Sequence, residues 1–375
     1  MSTGSNTVVR SELYAIDRSA LRRRVAIVGI VAVVLSLVTL CVNDGWHYFE
    51  NPVEVVSCYL LFFQQIFAGL DALGSAQILA MHPQYYQILH QAGTVFVTFI
   101  AGGMLALSGA LFQNVFRNPI ASPTMLGVSS GIRLGLLVFV IVFQYSAVSM
   151  LAMQYLFSYV AVAAVLVIVF GFTKVMDGPG RPFNVINMLL VGTIVNSLLG
   201  VLVTYLTFYG FEPELWEIYL SLSEVLVVDT NWYALVTIVV SAAITLVPVV
   251  LLRFRMNALG FDPSDMRMLG VNSRWLQIVA LVCGAIMMTA AQVQVGPAAM
   301  ITLVVPHISR SLFGAEFRKQ FVGNMLLGAA LLMACRCIVS FIPFVGSGLP
   351  IGTVADFVVL PAFIWILATQ QRGWE

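Results

Sequence analysis

Apolar residues run along this chain in long stretches, without the strict alternation of a half-buried strand or the single stripe of a soluble helix. Ten stretches, at about 25–42, 88–112, 123–143, 151–171, 185–208, 232–252, 275–295, 297–309, 321–342 and 350–369, approach the ~20 residues a helix needs to cross a bilayer. The seventh and eighth are divided at Gly296-Pro297, and the eighth is short. This pattern predicts an all-α polytopic membrane protein with ten transmembrane helices. Residues 52–70, PVEVVSCYLLFFQQIFAGL, compete for an eleventh place.

Composition agrees with the pattern. Of 375 residues, 60% are hydrophobic and 9% charged, and the mean hydropathy is +0.96. Soluble domains carry about a quarter charged residues, so a water-exposed surface cannot be built from this chain. The distribution of charge then settles the count. With ten spans and both termini cytoplasmic, 16 of the 18 basic residues fall on the cytoplasmic side, and Arg133 and Arg336 lie within spans. Making 52–70 a span would move 11 of those 16 outside, against the positive-inside rule. That segment is therefore read as an external interfacial or partly re-entrant helix, marked by Glu54, Gln64 and Gln65. The predicted organisation is a cytoplasmic segment 1–24, a membrane domain 25–370 with a cytoplasmic loop at 253–274, and a tail 371–375. The first apolar run follows Arg22-Arg23-Arg24 and reads as a retained span rather than a cleaved signal. The outer loops are acidic, with Asp44, Glu50, Glu54 and Asp71 in the first and Glu212, Glu214, Glu217, Glu224 and Asp229 in the third. They read either as solvated loop surface or as a docking face.

The most informative stretch is Gly102–Gly135, GGMLALSGALFQNVFRNPIASPTMLGVSSGIRLG. Two prolines, Pro119 and Pro123, break it between two apolar helices. Ser122 before Pro123 predicts a helix start, with serine as N-cap and proline at the first position. Gly127, Gly131 and Gly135 then recur at i, i+4 and i+8, a smooth face for close helix contact.

Candidate chemistry is mostly excluded. No phosphate-binding G-x-x-x-x-G-K-[ST] occurs, and Lys174 and Lys319 are the only lysines, so this chain cannot bind ATP by a P-loop. His47, His82, His90 and His307 lack ligand spacing, and no metal site is expected. Five cysteines read as small buried hydrophobes without a disulfide framework. No nucleophile with its base stands out, so the chain is not expected to be an enzyme. The loop RFRMNALGFDPSDMRMLGV from Arg253 mixes charges with apolar residues, among them Met266, Met268, Leu269 and Val271. It reads as a partner surface or as a plain surface helix.

Three ordered blocks resemble the FecCD-type permeases, membrane subunits of bacterial ABC importers for iron-siderophores, haem and vitamin B12. They are LALSGALFQNVFRNPIASPTMLGVSSG, MNALGFDPSDMRMLGV, and the run from VGPAAMITLVVPHISRSLFGAEFRKQF to LPIGTVADFVVLPAFIWIL. The resemblance implies a permease dimer, identical or mixed, in a bacterial plasma membrane. Two cytoplasmic ATPases carrying ATP and magnesium, and an extracytoplasmic binding protein, would complete the importer. Nucleic acid is not an expected partner, and the cargo would be a ferric-siderophore, haem or a corrinoid. It further implies that Asn257, Leu259, Gly260, Asp265, Met268, Leu269 and Gly270 belong to the loop that meets the ATPase. Gln113, Asn118, Pro119, Ala121, Pro123, Gly127 and Gly131 match the first motif, as packing and hinge residues. Pro306, His307, Arg310, Pro350 and Gly352 match the third, with His307 a structural histidine rather than a ligand.

The chain also departs from the family pattern. Gln91-Ala92-Gly93-Thr94 replaces R-x-P-R at the start of span two, and Arg336 and Ser340 replace an Asp and Arg in span nine. Asp356, Val359 and Leu360 replace small residues in span ten. A charge in the bilayer core costs about 2.5–3.5 kcal/mol on insertion scales, so Arg133, Arg336 and Asp356 should face protein or water. A pair between Arg336 and Asp356 is the expected compensation. Arg133 either lines a path for an anionic chelate or reaches towards a polar end. An ion-gradient transporter is the competing reading, and Asp356 is its one acidic candidate for a proton relay.

Overall fold

The computed structural model describes residues 18–40, 83–143, 152–178, 184–209, 213–224, 232–261, 266, 268, 270–314, 316–341 and 350–370. Within them the chain is helical: α1 (Arg18–Leu40), α2 (Pro83–Phe116), α3 (Val128–Val142), α4 (Ala152–Asp177), α5 (Val185–Tyr209) and α6 (Pro213–Glu224). There follow α7 (Trp232–Leu251), α8 (Ser273–Val295), α9 (Ala299–Phe313), α10 (Phe317–Phe341) and α11 (Ile351–Gln370). By length and composition α1, α2, α4, α5, α7, α8 and α10 can cross a membrane, and α3, α9 and α11 are shorter apolar helices. Residues 1–17, the external segment 52–70, Asp265, Leu269 and the tail 371–375 lie outside the described residues.

The helix α1 begins at Arg18 and continues through its arginines into the apolar run, and Arg24 Nη1 donates to the Leu312 carbonyl of α9 at 2.6 Å. Two elements differ from the sequence reading. The acidic third loop contains α6, whose Tyr219 is buried while Glu217 and Ser221 stay exposed. Acidic composition concealed a short one-sided helix. The predicted span 123–143 is two pieces, a 3-10 turn Pro123–Leu126 and then α3, divided at Gly127 with φ +80°.

The axis of the bundle is α2. Of its most apolar window 83% is buried, against 11% in α1 and 22% in α5, which border the surroundings. Glycines set how closely its neighbours approach. A methyl group on Gly102 would overlap the Gly328 carbonyl of α10, and one on Gly109 would overlap the Thr302 carbonyl of α9. A third contact is polar, Ser108 Oγ donating to the Gly284 carbonyl of α8 at 2.6 Å. Without a hydrophobic drive between helices in lipid, such close backbone packing and buried hydrogen bonds hold the bundle. The glycine face of α3 works likewise: Cβ atoms would lie 3.2 Å from Val162 at Gly131 and 2.6 Å from the Phe157 carbonyl at Gly135, both on α4. Gly127 also meets α4 at Val165, but from the turn rather than from the helix.

Substituting Gly109→Ala or Gly328→Ala should destabilise the protein by about 1–3 kcal/mol, the usual cost of overpacking. Gly171→Ala on α4, where a Cβ meets open space, should instead stabilise by up to about 1 kcal/mol. Thermal unfolding in detergent, followed by size-exclusion fluorescence, measures both.

Candidate functional site at the charged end of the bundle

One end of the bundle gathers the start of α1, the end of α2, the turn after α7, the end of α9 and the start of α10. The break after α2 builds it. Arg117 has φ 48°, and the Asn118 amide donates back to the Gln113 carbonyl at 3.2 Å. Asn118 Oδ1 then accepts from the Ile120 amide at 3.0 Å, an Asx turn that ends the helix. Pro119 is exposed, whereas Ala121 and Pro123 are buried. Ser122 is extended as an N-cap should be, yet its hydroxyl faces Thr124 Oγ1 and caps no amide. The Pro123 nitrogen has no hydrogen to offer, and the turn closes instead through the Gly127 amide on the Thr124 carbonyl at 3.0 Å.

Across this break sits the loop that follows α7. A single helical turn, Arg253–Met256, runs into a 3-10 turn, Asn257–Gly260. Arg117 Nε donates to the Leu259 carbonyl at 3.1 Å, and its Nη2 donates to the Phe261 carbonyl. Asn257 Oδ1 accepts from the Phe317 amide at 2.7 Å, capping the first turn of α10. The loop is thus tied to α2 through Arg117 and to α10 through Asn257. Leu259 and Met266 are buried and anchor it, while Gly260 and Gly270 are exposed. Met268 is 88% exposed and Phe261 53%, apolar side chains that no described residue covers. Arg117 lies inside the first matching block but was not singled out by sequence, which shows that it is basic and not which carbonyls it meets.

Residues from separate motifs prove to be single devices. Pro306 inside α9 has no N–H, so the Thr302 carbonyl one turn earlier loses its helical donor. Gln113 Nε2 from α2 reaches that carbonyl at 3.4 Å and the Leu303 carbonyl at 3.0 Å. Arg310 Nε turns back to the Pro306 carbonyl at 3.4 Å, and His307 is half-buried beside it. Among the described residues no group of histidine, cysteine or acidic side chains could hold a metal ion.

The expected pair of Arg336 and Asp356 is not formed. Asp356 Oδ2 and Oδ1 accept from the Ala299 and Met300 amides at 3.2 and 2.8 Å. Ala298 at the N-cap of α9 has no side-chain oxygen, so Asp356 supplies the missing cap from α11. Gly352, one turn earlier and behind buried Pro350, allows this, since a Cβ there would lie 3.0 Å from the Gly296 carbonyl and closer still to that of Pro297. Arg336 is 2% exposed and its Nη2 donates to Gln91 Oε1 at 3.3 Å. Gln91 Nε2 in turn donates to the Thr39 carbonyl, in the last turn of α1, at 2.9 Å. Two of the departures from the family pattern, Gln91 and Arg336, therefore meet each other. Arg133 stands apart, exposed on α3.

The exchange variant Arg336→Asp with Asp356→Arg should unfold rather than recover, because each side chain serves a different partner. Asp356→Ala should cost about 2 kcal/mol or more, and Asp356→Asn, which keeps an acceptor, distinctly less. Thermal midpoints and amide exchange at Ala299 and Met300 report on both.

Comparison with known proteins identifies the family and the fold. The model of the FecCD transport family matches residues 56–369. A Helicobacter pylori protein described as a probable iron chelatin transport system permease is 27% identical over 347 residues, covering 92% of this chain and 98% of its own. The hemin transport system permease HmuU of Yersinia pestis is 30% identical, covering 74% of this chain and 81% of its own. The Fe(3+) dicitrate transport system permease FecC of Escherichia coli is 31% identical, covering 74% and 80%. A solved structure described as a metal-chelate type ABC transporter in an inward-facing conformation superposes with a TM-score of 0.69 at 19% identity, covering 93% of this chain and 99% of its own, and shares the fold. The chain belongs to the FecCD transport family.

Proposed function

We propose that this chain is the membrane-spanning permease subunit of an ATP-driven importer, carrying a metal chelate, ferric-siderophore foremost with haem or cobalamin as further candidates, into the cytoplasm. It crosses a bacterial inner membrane ten times with both termini inside, and the end built by Arg117 and Asn257 is cytoplasmic. The clustering of Arg22, Arg23, Arg24, Arg117, Arg253, Arg255, Arg274, Arg310, Arg318 and Lys319 supports that orientation. Two cytoplasmic ATPases, a second permease and an extracytoplasmic binding protein complete it, and ATP is hydrolysed on the ATPase subunits.

The observation that carries this reading is the fastened loop at 253–261. A surface helix that only faced water would gain nothing from exposing Phe261 and Met268. Its two ties, to the axial helix and to the start of α10, give a docked ATPase a route into the bundle. The gradient-driven alternative rests on Asp356 alone, and the two oxygens of that side chain accept from helix amides, which supports a capping role.

Co-purification with ATPase and binding protein, followed by ATP hydrolysis in lipid discs, tests the reading. Loaded binding protein should stimulate hydrolysis, and uptake that persists without ATP would overturn it. Arg117→Ala should leave the complex assembled but lower uptake per ATP by about tenfold, within the ~1–3 kcal/mol typical of coupling between sites. Paired uptake and hydrolysis measurements read that ratio.

A further inference from the structure

Arg133 is the one charge within the spans that the packing leaves unexplained. Arg336 and Asp356 each have a protein partner. Arg133 is exposed, and no hydrogen bond or ion pair holds it among the described residues. Arg133 lies about 8 Å along the axis beyond the start of α3 at Val128 and about 14 Å before its end. It therefore sits within an apolar helix rather than at either tip. Facing lipid there would be costly, so this side of α3 faces water or protein.

Polar groups adjoin it along the helix. One turn earlier, Ser129 Oγ donates to Gln292 Oε1 of α8 at 3.1 Å, and Ser130 Oγ donates to Asn196 Oδ1 of α5 at 2.7 Å. On the helix these two serines bracket the direction in which Arg133 leaves the backbone. Beyond Asn196, α5 exposes Thr193, Ser197 and Thr204 among the apolar Ile194, Leu198, Val201 and Tyr205, and Gly200 opens onto space with no heavy atom within 4 Å of a Cβ. A cation exposed among the described residues, with hydroxyl and amide groups on its own and the adjoining helices, has the chemistry of an anion subsite.

We propose that Arg133 lies on the aqueous path and selects an anionic chelate, pairing with carboxylate or catecholate oxygens on its outer surface. The proposal rests on the importer reading and narrows its cargo from metal chelates in general to negatively charged ones. A neutral ferric trihydroxamate gains nothing from this side chain, whereas a ferric citrate or tris-catecholate complex does.

The test uses liposomes holding the permease with its ATPase and binding protein. An Arg133→Cys variant should be modified at that position by a sulfonated, membrane-impermeant methanethiosulfonate, mapped by mass spectrometry. Absence of modification would mean that lipid or a second copy covers the site, and would overturn the proposal. Arg133→Gln should lower ATP-driven uptake of the ferric citrate or tris-catecholate complex by about tenfold, the effect of losing one charge contact, and Arg133→Lys should retain most of it. Uptake of the neutral trihydroxamate alone by the unmodified transporter, or equal loss of all complexes in Arg133→Gln, also overturns it. If the unmodified transporter takes up none of them and consumes no ATP, the importer reading itself falls, and with it the cargo assignment. In that case modification of the Arg133→Cys variant still separates a water-facing surface from a covered one.

Discussion

The bundle depends on how closely α2 can approach its neighbours. Gly102 against Gly328 and Gly109 against Thr302 bring backbones together at distances that no side chain permits. In lipid, where apolar side chains gain little by leaving their surroundings, that proximity replaces the hydrophobic drive of a soluble core. It also places Gln113 where it can reach the Thr302 and Leu303 carbonyls next to Pro306. The proline in one motif and the glutamine in another are halves of one solution, a helix interrupted without leaving its backbone unserved.

The same rule explains the charges and one neutral amide. Asp356, Arg24 and Arg117, and with them Asn257, bond to backbone groups at helix ends or turns, and Arg336 bonds to an amide side chain. Among the described residues the ion pairs are those of Glu316 with Arg318 and Lys319, close neighbours at the charged end. Inside a membrane an unserved amide or carbonyl is expensive, and a side chain that satisfies one stabilises more than a matched pair of opposite charges would. That is why pairing Arg336 with Asp356 by sign alone failed. Arg336 has its glutamine, and Asp356 lies against the start of α9, where Ala298 provides no cap.

Mechanically, this arrangement joins a surface to an axis. The helical turns at 253–261 expose apolar side chains outward and hold α2 and α10 inward through one arginine and one asparagine. The loop and these helix ends are thus joined by direct hydrogen bonds. The glycine at 127, with φ +80°, divides the 3-10 turn from α3 and gives the chain a bend beside the same end.

By itself the sequence determined the class of the protein, the order of its apolar helices, the break at Asn118–Ser122 and the division at Gly296-Pro297. These are properties of local composition and backbone chemistry, legible because bilayer thickness and proline geometry act on consecutive residues. The family was legible too, since three motifs keep their order along the chain. The tertiary structure alone decided which partner each polar side chain takes. Gln91 with Arg336, Gln113 with the carbonyls near Pro306, and Asp356 with the Ala299 and Met300 amides are contacts between residues 56 to 245 positions apart. No periodicity encodes such distances. They follow from which helix faces the glycines allow to meet, and from the need to satisfy each buried backbone group once they have met.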